Sequence, residues 1–355
     1  VPARPIRATE AAKTVLLVLF AAVAIVVFLA PPAEPPTLEE SISTATNFLL
    51  ERQQPDGSWT TRFTASATST LGRPFVEETA GFTYTPFTTT YITHTLSLLE
   101  RTPEAQAALA ASVRFLLRER NSSGLWNFYG RELERQEMPV PEDTDDTATA
   151  LAALAENGAA PADALTALNK LRREDGNYWV WTNPVNGGNG VECVVSANSL
   201  YALSLLNDPG ENSALCSYLV STAGKFEAGD TSCRRYYPPL VFAHAYSRAL
   251  ADGKAQCLAG GAQALRKFVE NAQTDGGWWG SVHNTCTAIT ALLNLGAPAS
   301  SVEGAVRRVL KEQRGDGSWP AHAWFVGPFR LYGSSESTTG FCLEALVKYR
   351  RAGGV

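Results

Sequence analysis

Four carboxylates fall within five positions, at Glu142, Asp143, Asp145 and Asp146, directly ahead of the apolar run 148–154. A helix should begin there, because an acidic start followed by alanine and leucine is a helix N-terminus signature. Such an end welcomes negative charge, since its first amides are unpaired and its dipole is positive. One acid is enough for a cap. Several ionised carboxylates close together repel one another, and in a dry site at least one stays protonated near neutral pH. Two readings are open at this point: a solvated acidic cap, or a general acid.

The elements that would position these acids recur along the chain. From Thr37 onward a helix-period stretch ends in a polar turn with glycine and an aromatic, and a loop and a more apolar helix follow. The turns carry Gly57 and Trp59, Gly124 and Trp126, Gly176 and Tyr178, Gly277 and Trp279, and Gly317 and Trp319. The long gap between Gly176 and Gly277 leaves room for one degenerate unit near 225–237, which makes six. The pattern predicts amphipathic first helices near 38–53, 103–119, 161–173, 210–223, 258–272 and 300–313. Second helices are predicted to begin near Thr88, Asp143, Cys193, Tyr237, His283 and Glu336, with apolar or small residues on nearly every side. Fully apolar helices alternating with amphipathic ones are best housed as the inner and outer rings of a double-walled barrel. The expected fold is all-α, an (α/α)6 toroid over residues 38–350.

In such a barrel the outer-to-inner loops gather at one end, and the acids face that shared mouth. The same loops bring Trp181, Tyr236, Tyr237, Trp279, Trp324, Phe325 and Tyr332 there as candidate substrate-binding residues, although the repeat-turn tryptophans also have a structural reading. Of the four histidines, His94 reads as a satisfied core residue, while His283 and His244 are the candidates to touch the acids. Carboxylates held protonated in an aromatic cavity suit one chemistry: protonating a carbon–carbon double bond and stabilising the cations against π-faces. That chemistry needs no metal and no cofactor.

The Gln-x-x-x-Gly-x-Trp turns at Gln53, Gln273 and Gln313, together with Asp-x-Asp-Asp-Thr-Ala from Asp143 to Ala148, resemble the squalene–hopene cyclase and class II terpene cyclase family. The resemblance spans 37–350. It implies a cyclase acting on a polyprenyl alkene, with Asp145 as the proton donor and Asp143 and Asp146 supporting its protonated form. It also implies a histidine partner for the acid and an isoprenoid or other apolar lipid as substrate.

Residues 14–30 carry no charge and follow Arg4, Arg7 and Lys13, whereas Glu34, Glu39 and Glu40 follow them. This is the lower limit of a membrane-crossing length. The expected organisation is a cytoplasmic basic flank over 1–13, a transmembrane anchor over 14–30, a proline-rich linker over 31–37 and the toroid on the extracytoplasmic side. Lys and Arg total 30 against 35 acids, for a net charge of −5 without a basic run, which excludes a nucleic-acid role.

Six cysteines suit an oxidising compartment. Barrel geometry allows Cys193 with Cys233 at the mouth, Cys216 with Cys257 between outer helices, and Cys286 with Cys342 between inner ones. Three alternatives to the cyclase stay open: a zinc site from Cys193, His283 and Cys286 as in prenyltransferases, a glycan-active barrel, and an exported toroid that binds a lipid or protein without catalysis.

Overall fold

The computed structural model describes residues 35–65, 80–131, 141–183, 189–208, 212–327 and 330–355. Thr37–Val355 is one compact unit. The expected basic flank and anchor lie outside the described residues, and among the described residues no helix is long and apolar enough to cross a membrane.

Twelve α-helices follow one another among the described residues: α1 Leu38–Arg52, α2 Pro86–Ser97, α3 Pro103–Glu119, α4 Thr144–Glu156, α5 Ala164–Asn169, α6 Cys193–Leu205, α7 Ser213–Glu227, α8 Pro239–Ala251, α9 Ala259–Asn271, α10 Val282–Asn294, α11 Glu303–Lys311 and α12 Ser335–Arg351. The odd-numbered helices are amphipathic. In α9, for example, only Gly261, Leu265 and Val269 are buried, one residue per turn on a single face. The even-numbered helices are buried all round, as in α6, where every residue from Cys193 to Leu203 is inside. Each even helix packs on the next, α2 on α4, α4 on α6, α6 on α8, α8 on α10, α10 on α12, and α12 returns to α2. The inner ring is closed.

The repeat turns staple the outer layer. The indole N–H of Trp59 donates to the Leu49 carbonyl at 2.8 Å, and Trp126, Trp279 and Trp319 do the same to Leu116, Val269 and Val309. Each ring thus folds back over the last turn of its own helix and satisfies a carbonyl that the helix end leaves free. The turn also grips the neighbouring unit: the Gln53 amide donates to Ala108 O of α3 at 2.9 Å, and that of Gln313 to Ser41 O of α1 at 3.0 Å. Gly57 and Gly317 have φ of +97° and +86°, and a Cβ on either would meet a carbonyl oxygen of the adjacent outer helix at 2.2 or 2.3 Å. Only glycine fits there.

One part of the expected all-α fold is corrected. The α1–α2 and α11–α12 connections pair as a four-stranded antiparallel sheet of β1 Thr60–Ala65, β2 Gly81–Tyr84, β3 Phe325–Gly327 and β4 Arg330–Gly333, in the order β2-β1-β4-β3. Phe63 stands opposite Tyr332 across β1 and β4. The first and last helical hairpins are neighbours once the ring closes. Thr60, Thr61, Phe325 and Tyr332, all buried, then suit a pleated surface better than a coil.

Three disulfides join Cys193 to Cys233, Cys216 to Cys257 and Cys286 to Cys342, the pairing barrel geometry allows, and no cysteine is free. Each closes a loop long enough to stabilise the fold by about 4 kcal/mol in the chain-entropy view. Protein unfolded without reductant should therefore show no titratable thiol, and full reduction should release all six. Six thiols before reduction would contradict the pairing.

Candidate active site

The loops that enter the inner helices surround a cavity of about 270 Å³. Asp143, Asp145 and Asp146 lie at its base, and Phe87, Phe128, Trp181, Tyr236, Tyr237, Phe325 and Tyr332 supply most of its wall. Its aromatic faces are held in place by one another: Phe325 stacks on Tyr332 with ring centroids 5.0 Å apart, and Phe128 meets both edge-on.

The four acids separate into different roles. Glu142 is half buried and accepts from Asn121 and Thr182, away from the cavity lining. Asp143 is the cap of α4, its carboxylate accepting from the Asp146 amide at 2.7 Å. Its backbone is fixed on both sides, by Asp143 N to Trp126 O at 3.2 Å and Thr144 N to Val180 O at 2.9 Å. Asp145 and Asp146, on the first turn, are buried although neither caps the helix.

Asp145 has two side-chain partners. Asn198 of α6 donates to its Oδ1 at 2.7 Å, and the Tyr237 hydroxyl donates to its Oδ2. The Asn198 amide cannot be turned round, because its oxygen accepts from Arg248 at 2.9 Å and a guanidinium only donates. Oδ1 of Asp145 therefore accepts, and Oδ2 is the oxygen on which a proton fits, because the Tyr237 hydroxyl beside it can accept as well as donate.

Burial governs the ionisation of the whole group. It lifts Asp143 to about 7, raises Asp145, and raises Asp146 well above the ordinary carboxylate range, where repulsion from Asp143 adds to the effect. Tyr237, Asn198 and the Arg248 charge work against burial at Asp145. For Asp145 burial outweighs these three groups, so its pKa is raised, and they make it a stronger acid than burial alone would leave it. Glu192, the cap of α6, joins the cluster: it accepts from the amides of Val194, Val195 and Arg235 at 2.6, 2.9 and 3.2 Å, and burial still lifts it to about 8.

Neither candidate histidine touches the acids. His244 bonds Glu344 at 2.9 Å. His283 makes no hydrogen bond and packs edge-on against Phe341 at 4.7 Å. Burial lowers the pKa of both, most strongly for His283. His94 is a core residue as expected: burial opposes its charge, but Glu156 at 2.8 Å, with Glu344, holds the imidazole up at about 9. The place expected for a histidine beside Asp145 is filled by Asn198 and Tyr237.

Among the aromatic candidates, Trp181, Tyr236, Tyr237, Phe325 and Tyr332 line the cavity. Trp279 and Trp324 do not. Trp279 is spent on its repeat turn, and Trp324 lies behind the wall, stacked on Phe87 at 5.3 Å. The zinc reading is also corrected, because the sulfurs of Cys193 and Cys286 are committed to disulfides. One other group, His94, Asp252 and Glu344, has ligand atoms close together. The Lys348 ammonium already serves Asp252, at 2.8 and 2.9 Å, and Asn294 at 3.0 Å.

Asn198, Arg248 and Glu192 were not anticipated as site residues. The available signal was their polarity: each interrupts or caps an inner helix that is otherwise apolar or small, and a lone polar group there needs a buried partner.

No family model and no curated protein matches the sequence. Solved structures do. The type II terpene cyclase MstE from Scytonema superposes with a TM-score of 0.67 at 18% identity, covering 89% of this chain and 99% of that one. The ent-copalyl diphosphate synthase from Streptomyces platensis gives 0.59 at 16%, over 75% of this chain and 50% of its own. A GH76 α-mannanase from Bacteroides thetaiotaomicron gives 0.56 at 10%, over 89% and 97%. The shared feature is the fold, which is therefore that of the type II terpene cyclases. The mannanase shows that the same architecture serves other chemistry, so function has to be argued from the site.

Raised carboxylate pKa values set a sign for stability. The stabilisation carried by protonated Asp143 and Asp146 is complete below the ordinary value near about 4. It is lost as pH climbs through the elevated folded values, about 7 for Asp143. Asp146→Asn keeps a donor toward Asp143 and removes one buried charge. Its thermal midpoint should lie nearest that of wild type at pH 4 and exceed it by a growing margin up to pH 8.5. Parallel melting profiles across that range would show that the pair is not buried as described.

Proposed function

We propose that this protein is a terpene cyclase of the class II type, an isomerase in which Asp145 protonates an alkene of a polyprenyl chain held in the aromatic cavity. The observation that carries the reading is the placement of Asp145: buried in an apolar, ring-lined chamber, with Oδ1 accepting from Asn198 and Oδ2 paired with the Tyr237 hydroxyl.

The step balances simply. The π pair of the alkene takes the proton from Oδ2, a carbon–hydrogen bond forms, and a tertiary carbocation remains. Further alkenes of the same chain add to it in turn, each forming a carbon–carbon bond. Loss of a proton from the last cation leaves a product isomeric with the substrate. The carboxylate left on Asp145 is stabilised by Asn198, Tyr237 and the Arg248 charge. Hydrogen bonds to a charged group are worth about 1.5–3 kcal/mol each, which favours proton release when the transition state forms. Phe128, Trp181, Phe325 and Tyr332 line the path of the travelling cation, and a ring face turned toward it would contribute on the order of 0.5–2 kcal/mol when dry.

The substrate class is supported by the cavity lining and by two neighbours of like fold. MstE is known in complex with geranylgeranyl dihydroxybenzoate as its substrate, and the other neighbour is an ent-copalyl diphosphate synthase. Crowding of all three acids on one helical turn argues against glycan hydrolysis, which places its two carboxylates on opposite sides of a scissile bond. We further place the toroid on the extracytoplasmic face of a membrane, anchored through 14–30. Three disulfides support an oxidising compartment, and an anchor would hold the cavity near a lipid supply.

The full-length chain in detergent, given squalene, farnesyl diphosphate and geranylgeranyl diphosphate, should yield cyclic products that carry one solvent deuterium when made in D2O. Asp145→Asn should lower the rate about 10²- to 10⁴-fold, the usual contribution of a general acid. Unchanged turnover in that variant would refute the proposal, and binding of these lipids with no conversion would make the protein a lipid-binding toroid.

A further inference from the structure

The inner ring has a second end, and ionisable side chains gather there too. Asp145 opens α4 and Glu156 closes it, eleven residues and about 16 Å further along the helix. The same end brings together His94 from the last turn of α2, Asp252 just past α8, and Glu344 and Lys348 of α12. Helix C-termini carry the negative end of the dipole and favour cations. The three carboxylates Glu156, Glu344 and Asp252 share two cations, Lys348 and Arg248, so the cluster has room for further positive charge.

The His94 ring is anchored at Nδ1, which lies 2.8 Å from Glu156 Oε1, an oxygen that also accepts from the Tyr201 hydroxyl. A carboxylate only accepts, so Nδ1 donates there and Nε2 is turned to Glu344 Oε1 at 3.4 Å. That separation exceeds the about 2.7–2.9 Å of a charge-assisted hydrogen bond. Both atoms are buried, and neither makes a hydrogen bond among the described residues. The distance instead matches the spacing of about 3.3 Å between two ligands of a tetrahedral ion with bonds of about 2.0–2.1 Å. A ligand atom of Asp252 lies within 4.8 Å of the other two. Its side chain is 24% exposed, which gives it room to swing inward and gives an ion a way in. Each prospective ligand is also gripped from behind, as metal ligands are: His94 by Glu156, Glu344 Oε2 by His244 at 2.9 Å, and Asp252 by Lys348, which leaves a lone pair on each carboxylate oxygen.

We propose that His94 Nε2, Glu344 Oε1 and Asp252 bind a zinc ion that ties α2, α8 and α12 together at the end of the ring opposite the acids. One imidazole with two carboxylates suits zinc better than magnesium or calcium, which take oxygen ligands and more of them. Three protein ligands leave a fourth position for water. On binding, the proton on Nε2 leaves to solvent and a zinc–nitrogen bond forms in its place. The site shares no residue with the cysteine set excluded above, and the length of α4 separates it from the cavity. Its role is structural, and it does not depend on the cyclase reading.

The test uses the full-length chain with any affinity tag removed, stripped by chelator, dialysed and titrated with zinc chloride by calorimetry. One equivalent should bind with a Kd of about 1 μM or tighter. Saturation should raise the thermal midpoint, because the ion binds the folded state. X-ray absorption at the zinc edge should show nitrogen and oxygen neighbours and no sulfur. Asp252→Asn keeps an acceptor for Lys348 on a partly exposed side chain, so it should fold as wild type while weakening zinc at least about 10-fold. His94→Gln should abolish binding. No binding by wild type, or equal affinity in folded Asp252→Asn, overturns the inference, and so do sulfur neighbours. None of these readouts involves turnover, so the cyclase proposal stands or falls separately.

Discussion

A carboxylic acid can deliver a proton to a hydrocarbon only if it keeps that proton at neutral pH and yet releases it readily, and these demands conflict. In the proposed reaction burial serves the first demand, raising Asp145 along with Asp143, Asp146 and Glu192. The second would be served by a chain of donors that begins with the Arg248 charge and runs through Asn198 to Oδ1 of Asp145. Arg248 is itself buried and lies over the Tyr91 and Tyr201 rings at 5.0 and 4.7 Å, so the charge is fixed at a set distance instead of being free to neutralise the acid outright. Much of the inner barrel serves this balance. Burial opposes the Arg248 charge, and Tyr91, Tyr201, Glu344 and Glu156 favour it; the two glutamates pair with His244 and His94 in a second buried network.

The fold supplies what such a site requires by bringing distant segments within hydrogen-bond reach of one another. Asp145 sits on the first turn of α4, Asn198 on α6, Tyr237 just ahead of α8 and Arg248 on the last turn of α8. Two devices lock these pieces together. The Cys193–Cys233 bond ties the start of α6, beside Glu192, to the loop that delivers Tyr236 and Tyr237. That loop in turn accepts from the sheet, through Val326 N to Tyr236 O at 2.8 Å. The sheet carries Phe325, Tyr332 and Arg330, so the wall of the cavity and the acid are tied into one frame.

Much of this was legible in the sequence, for physical reasons that differ by element. The repeat turns were readable because a left-handed glycine followed two residues later by an indole is a local signal, and Gly57 with Trp59 and Gly317 with Trp319 behave as such a signal implies. The cysteine pairing is one that the ring order allows, because each pair joins neighbouring elements of the ring. The sheet was not legible: β1 and β4 are separated by most of the chain and each is only a few residues long. The acid's partners were missed for a related reason. His244 and His283 drew attention as titratable side chains, but the Asp145 partners are an amide and a phenol, and which polar residue of an inner helix faces which depends on rotation about the helix axis. Trp324 shows the same limit, since a residue in a mouth loop can face the cavity or back the wall.

The central claim concerns where one proton resides, and it can be observed without turnover. An infrared difference spectrum at pH 7 between wild type and Asp145→Asn isolates the carboxyl vibration of that side chain. A protonated-acid carbonyl stretch that is present in wild type and absent from the variant is the predicted result. A carboxylate pair of bands in its place would mean that Asp145 is ionised at rest, and the account of this site as a proton donor would be contradicted.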